Sequence, residues 1–348
     1  MSTLTEIFTN IANAIRSKKG TTEPINAQNF ASEIESLETG GNTEQEDGLV
    51  TRTLTTYSND RITNIGAYAF SGFTDLTYVS IPNVTSIMDY AFYKCETLPN
   101  INLPNTTTIG ASVFFGCSKL EDFNLPLVTS IGKSAFRNCS QLTSANLPLV
   151  TSIKEYTFNE CTELTSVNLP LVTSIGQHAF YKCDNLKDLD LPLVTSIDAH
   201  AIHYCSKLTN INIPNVVTIK GHGLASCISL TKINLPLVTS IESYGFHVCV
   251  NLTSVDAANL KEISSYVFYE CGSLTKVILR ASTVCTLYNT NAFGKCYHIL
   301  GTVHATYNPE GLKDGRIYVP DELVEDYKVA TNWSTYADII VPLSTLEE

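Results

Sequence analysis

The chain repeats itself every 22 residues, and no other feature constrains its fold as tightly. The unit from Leu164 to Asn185 reads LTSVNLPLVTSIGQHAFYKCDN. Isoleucine recurs on this period from Ile65 to Ile263, and cysteine from Cys95 to Cys271, without a slip. Such a period marks a solenoid, in which one repeat cannot bury its apolar face alone and must stack on its neighbours.

One unit can be read physically. Leu164, Val167 and Leu169 alternate with Ser166 and Asn168, which is the pattern of a half-buried strand. Pro170 ends it, because proline has no N–H for a parallel ladder. Val172 and Ile175 supply a second extended, buried segment. Gly176 is expected to permit the turn, and HAFYKC to form one helical or 3₁₀ turn that places Ala179, Phe180 and Cys183 in the core. The expected fold is a β-rich (α/β-type) solenoid, a right-handed superhelix of parallel 22-residue coils.

The flanks differ from the repeats. Residues 1–38 read as a small helical anchor module, with Leu4, Ile7, Phe8, Ile11 and Ile15 at helical spacing. Residues 39–48, TGGNTEQEDG, have linker composition. The solenoid is expected over 49–300 and a strand–helix cap over 301–348. In that cap Ile317 to Val319 reads as a last strand, and Asp321 as the N-cap of a helix. Trp333, Tyr336, Ile339 and Ile340 are expected to cover the final rung, because a solenoid end otherwise exposes core and a sheet edge.

Composition excludes several functions. A net charge of −12 lacks the basic face that nucleic acid or anionic lipid requires. No apolar run approaches the roughly 18 residues of a membrane span. The first residues lack the uninterrupted apolar stretch of a secretory signal. Phe73 occupies the cysteine slot of an earlier repeat, so that slot is an apolar pocket and the thiols are expected to be buried and reduced. The column Asn102, Asn124, Asn146, Asn168 is expected to hydrogen-bond as a ladder.

The repeat L-x-x-V/I-x-L-P-x-V-T-S-I-G-x-x-A-F-x-x-C resembles the BspA-like leucine-rich repeat family over residues 54 to about 300. Many copies in that family have about one residue more between the proline and the isoleucine. The understood members are mostly surface adhesins and interaction scaffolds. The terminal YVPDELVEDYKVATNWSTYAD is similar to the C-terminal cap of such proteins from gut bacteria and their phages. The opening LTEIFTNIANAIRSKKGTTEPINAQNFASEIESL resembles a segment of predicted tail or structural proteins of gut bacteriophages. Together these resemblances imply a virion protein that binds a protein or glycan on a host cell, with a cell-surface adhesin or a cytoplasmic scaffold as alternatives. The N-terminal module is then expected to dock on another protein or to oligomerise.

Two outward columns are the candidates for recognition. One reads Tyr68, Tyr90, Ser112, Ser134, Tyr156, His178, His200, His222, Tyr244 and Tyr266. Its histidines, His178, His200 and His222, fall on consecutive rungs and could hold a metal. Interchange with tyrosine favours instead a stacked, half-buried ring, so no metal or other cofactor is expected. The second column carries Tyr93, Phe115, Arg137, Tyr181, His203, His247 and Tyr269, with Asn159 and Ala225 between them. It is expected to be exposed, and either to shield the turn beneath as ordinary surface aromatics or to stack on sugars or on a partner's side chains. There is no nucleophile elbow, phosphate loop, CxxC or HExxH. Asp188 and Asp190 share a strand face but read as a solvated pair, so the chain is expected not to be an enzyme.

Overall fold

The apolar positions read from the central unit, Leu164, Val167, Leu169, Val172 and Ile175, face inward when successive units pair one period apart. That is the register adopted: Ser166, Val167 and Asn168 lie beside Ser144, Ala145 and Asn146. The structure is a computed structural model that describes residues 54–308 and 310–347. Over this span the chain is a parallel β-solenoid. The helices expected in 1–38 and the linker 39–48 lie outside the described residues.

Each coil has three sides. The first is a three- or four-residue strand, running from Thr56–Ser58 through Ser166–Asn168 to Lys276–Leu279. The second is a two-residue strand, from Asn64–Ile65 to Thr286–Leu287, in which isoleucine stands beside isoleucine. The first sheet thins to a single bridge, Ser80 to Asn102, in the coil that begins at Leu98. The cause is Pro99. In neighbouring coils the N–H at this position reaches the carbonyl one period back, as from Thr77 to Thr55 at 2.8 Å. Proline has no such donor.

The third side differs from expectation. It is not a helical turn. Two residues per coil are left-handed, His178 (φ 55°) and Lys182 (φ 57°) in the central unit. Their N–H groups, and that of Phe180 between them, point to the next coil. His178 donates to Ala199 O at 3.3 Å, Phe180 to Ala201 O at 2.7 Å and Lys182 to His203 O at 3.0 Å. The intervening N–H groups bond back three residues, as from Cys183 to Phe180 O at 3.2 Å. Left-handed backbone costs about 1–2 kcal/mol per ordinary residue. Three bonds between coils, at about 1 kcal/mol each, offset that cost. The left-handed residue is therefore His178, not Gly176. A Cβ on Gly176 would sit 2.7 Å from the backbone nitrogen of Glu155, so glycine there admits a close approach of two coils.

Phenylalanine fills the interior. Phe92, Phe114, Phe136, Phe158 and Phe180 stack at 5.4–5.5 Å, all fully buried. The eleven cysteines are free and buried, as the sequence implied. They are more than small hydrophobes. Each thiol of the column donates to a carbonyl of the preceding coil, for example Cys183 Sγ to Phe158 O at 3.2 Å. Burial raises the pKa values of the thiols from Cys117 to Cys271, to about 12 at Cys205 and Cys249, so these thiols stay protonated. The asparagine ladder forms on the outer face from Asn124 onward, with Asn168 donating to Asn146 and Asn146 to Asn124, each at 2.8 Å, and does not extend to Asn102.

The C-terminal cap closes the stack. Arg316–Val319 pairs with Lys276–Leu279, and Ile340–Pro342 pairs in turn with Arg316–Val319. The last strand is thus Ile340–Pro342, not Ile317 to Val319. Asp321 does not cap a helix. It opens a 3₁₀ turn, Asp321–Leu323, and its carboxylate accepts from the Ser344 N–H at 3.0 Å. The α-helix begins one turn later, at Val324–Val329. Trp333 is fully buried, and its indole donates to Cys285 O at 2.6 Å. Tyr327 Oη accepts from the Cys285 N–H at 2.9 Å. The extra residues around 282–291 interrupt the period and here provide the anchor for the cap. Among the described residues, no helix is long and apolar enough to cross a membrane.

Candidate binding surface

The left-handed residue that opens the third side projects its side chain outward, and the parallel register places these side chains one above another. The first ring column therefore forms a continuous stack. Tyr156–His178, His178–His200, His200–His222, His222–Tyr244 and Tyr244–Tyr266 have centroids 4.5–5.0 Å apart, with planes within 16°. Tyr68 stacks on Tyr90 in the same way, 4.8 Å apart. Ser112 and Ser134 interrupt the column between these two runs.

The second column is half-buried rather than exposed, and Asn159 and Ala225 are buried. Its side chains fold against the first column. Tyr93 stacks on Phe115 at 4.9 Å, and Arg137 lies over both Phe115 and Tyr156. Tyr181 meets His178 edge-on at 5.3 Å, and His247 meets Tyr244 at 5.3 Å. Tyr269 does the same with Tyr266 at 5.5 Å. All seven candidates thus line one composite surface, but most ring faces are already occupied by other rings. A sugar needs a free face, so this surface presents edges and polar tips instead.

The structure brings together three histidines that the sequence did not group. His203 turns toward the first column, and its Nδ1 lies 3.0 Å from Nδ1 of His200. His200, His203 and His222 each offer a ring nitrogen within 4.8 Å of the others. Burial, reinforced by the neighbouring imidazoles, lowers the pKa of His203 to about 3. His178, His200, His222 and His247 are lowered too, chiefly by burial. The cluster is therefore neutral at neutral pH.

A second surface lies at the corner after the proline. Leu127, Leu149, Leu171 and Leu193 occupy that corner on four consecutive rungs, and each is 40–44% exposed. The fold does not require them. In four other coils the same position is Asn83, Asn105, Asn215 or Asn259, whose amide donates to a carbonyl of the preceding coil, as from Asn105 to Pro82 O at 2.9 Å, while Leu237, beyond Asn215, is a fifth exposed leucine apart from the run. Sequence reasoning passed over these leucines because L-P-L-V reads as one apolar run. The contrast with asparagine in the outer coils was the available signal.

Asp188 and Asp190 accept from Asn210 and Asn212 at 2.6 and 2.7 Å. They are rungs of the polar ladders rather than a paired acid and base. An open groove of about 630 Å³ is lined by residues between Ala67 and Glu155, among them Asp89, Gly110, Gly132, Lys133 and Lys154.

Comparison with known proteins places this surface on a recognised scaffold. Among solved structures, the chain is similar to a leucine rich cell surface protein from Faecalibacterium prausnitzii, with 22% identity over 66% of this chain and 89% of that one and a TM-score of 0.37. A leucine-rich repeat protein from Eubacterium ventriosum shares 22% identity over 75% of this chain and 87% of that one, with a TM-score of 0.42. A leucine-rich repeat protein from Treponema pallidum shares 33% identity over 38% of this chain and 64% of that one, with a TM-score of 0.37. Curated proteins give no match. The model of the BspA type leucine rich repeat region matches in six copies, over residues 53–149, 129–237 and 217–304. The matched segments span most of the chain and coincide with the stacked coils, so this protein belongs to the BspA type leucine-rich repeat family.

Proposed function

We propose that the protein is a non-enzymatic recognition module that binds another protein at a cell surface, with the leucine corner as its principal contact. The observation that carries this reading is the run Leu127, Leu149, Leu171 and Leu193. Four aliphatic side chains stay 40–44% exposed on adjacent rungs, at a position where asparagine serves the fold. Burying apolar surface drives most protein association, at about 25 cal/mol per Å². A glycan gains little from leucine, and the ring columns offer few free faces for a sugar to stack on. The two columns with Tyr93, Phe115, Arg137, Tyr181, His203, His247 and Tyr269 act as a second, more polar contact.

The test uses two substitutions that the fold already accommodates. Labelled full-length protein is applied to intact bacterial and epithelial cells, before and after the cells are treated with protease. Binding is expected to disappear after the treatment, and to fall at least tenfold for L149N/L171N with an unchanged melting temperature. Binding that survives protease, or that ignores the leucine pair, sinks the reading. Tyr181→Ala with His203→Ala measures the ring surface separately. A narrower version places the protein on a phage particle. It is supported by the resemblances of residues 1–38 and of the C-terminal cap, and it fails if the protein is absent from purified particles.

A further inference from the structure

We propose that His200, His203 and His222 form a site for a divalent transition-metal ion of the zinc class. Three ring nitrogens lie within 4.8 Å of one another, close to the spacing that ligands of one ion adopt. Zinc–imidazole bonds of about 2.0–2.1 Å put neighbouring ligand nitrogens roughly 3.0–3.5 Å apart. The His200 and His203 Nδ1 atoms, at 3.0 Å, already meet that spacing. His222 Nδ1 is buried without a hydrogen-bond partner. A buried polar atom in that state costs roughly 1–3 kcal/mol, and an ion between the three rings would satisfy it.

The repeat explains why the site arises at this one place. His203 occupies the second column, and the next rung of that column is Ala225, which carries no ring. His203 can therefore stack on His222 as well as on His200, with centroids 5.5 and 5.2 Å away. Tyr204 covers the ring of His203 at 4.2 Å and holds it there. Binding requires some movement, because the planes of His200 and His222 are within 9° and both lone pairs must turn toward one point. That rotation is about the Cβ–Cγ bonds, where the energy wells are broad.

The protonation state suits an ion. The groups that face His203 are His178, His200, His222 and His247, and burial holds all of these imidazoles neutral. Neutral imidazole is the ligand form, and the proton shared between the Nδ1 atoms of His200 and His203 has to move to the other ring nitrogen, a change of tautomer, before both can ligate. The column of stacked histidines alone, His178, His200 and His222, does not provide this arrangement. It is His203, from the second column, that lets ligands approach from two directions.

Calorimetric titration of the tag-free full-length protein with zinc chloride tests the site. One ion per chain is expected to bind at micromolar zinc, and cobalt(II) to give visible ligand-field bands. His203→Ala is expected to weaken binding at least tenfold. His200→Tyr should do the same while keeping a ring in a column that elsewhere holds tyrosine. His178→Tyr should bind as the wild type does. Thermal melts of the three variants separate lost ligands from lost fold. The proposal is overturned if the wild type shows no saturable heat. It is also overturned if His203→Ala binds normally, or if a folded His178→Tyr loses the ion.

Discussion

At the residue scale, two interchangeable-looking positions turn out to be under different demands. The fourth residue after His178 is Lys182, left-handed like its counterparts, and the same column holds Gly72, Lys94 and Gly116. Lys94 is exposed and left-handed at φ 55°, between two coils that use glycine. Lys94→Gly should stabilise the protein by about 0.5–1 kcal/mol. Relief of roughly 1–2 kcal/mol of backbone cost outweighs roughly 0.5–1 kcal/mol of added chain entropy. Urea unfolding monitored by tyrosine fluorescence would measure it, and a loss of stability would refute the accounting. The histidine cluster makes a second prediction. His203 titrates near 3 when folded, whereas its ordinary value is 6.5. The unfolded chain therefore binds the extra proton first, and stability falls as pH drops from about 6.5 toward 3. Replacing His203 with alanine should flatten that fall. The comparison is the difference in urea midpoint between pH 7 and pH 4.5 for the two proteins. An identical difference in both would show that His203 does not contribute.

At the element scale, the coil is the unit, and its neighbours hold it. Much of it was legible beforehand. Leu164, Val167, Leu169, Val172 and Ile175 follow the two-residue alternation of strands, and register follows from the unbroken period. The third side was misread because HAFYKC satisfies helical spacing locally. Only the carbonyls of the next coil decide that its N–H groups point along the stack, and a single unit does not contain them. The same limit applies to the candidate site. Tyr181 and His203 look outward from their own coils, but the rings of the adjacent column draw them inward. His203 joined His200 and His222 because Ala225, a full period away, leaves room. The cap failed in its details for a related reason: Asp321 has N-cap chemistry, yet its partner is Ser344, on a segment that returns later. Trp333→Ala tests the cap as an element. Loss of this buried ring and its bond to Cys285 should cost about 3–5 kcal/mol. In a nearest-neighbour stack the damage stays local. Hydrogen exchange should speed up in Ser254–Ala257 and Lys276–Leu279 and remain unchanged in Ser144–Asn146. Uniform acceleration would mean that the solenoid unfolds as one cooperative block.

At the scale of the whole molecule, core and surface obey separate rules. The interior columns of Leu, Ile, Phe and Cys recur with few exceptions, while the outward columns change from rung to rung. The leucine corner occupies coils from Leu127 to Leu193, and the histidine cluster follows from His200 to His222. They are neighbours along the stack but arise on different sides of the coil. Binding through the corner and metal capture at the cluster should therefore be separable. L149N/L171N should leave zinc binding unchanged, and His203→Ala should leave the corner intact. Calorimetry and cell binding on the same two variants would check this, and loss of both properties in either variant would show that they are coupled.

The inter-coil register has a consequence for how such a protein changes over time. From Leu120 to Ile263 successive coils offer their neighbours nearly the same hydrogen-bonding edge on all three sides. Unequal exchange between two copies in the coding sequence would add or delete a whole turn and leave both junctions well formed. Length would then vary in increments of about 4.8 Å, the separation of adjacent strands. The same event would transplant outward residues as a block. Loss of the turn from Leu186 to Lys207 would remove His200 and His203 in one step, and its duplication would double them. Reach and binding chemistry are thus inherited in units of one turn.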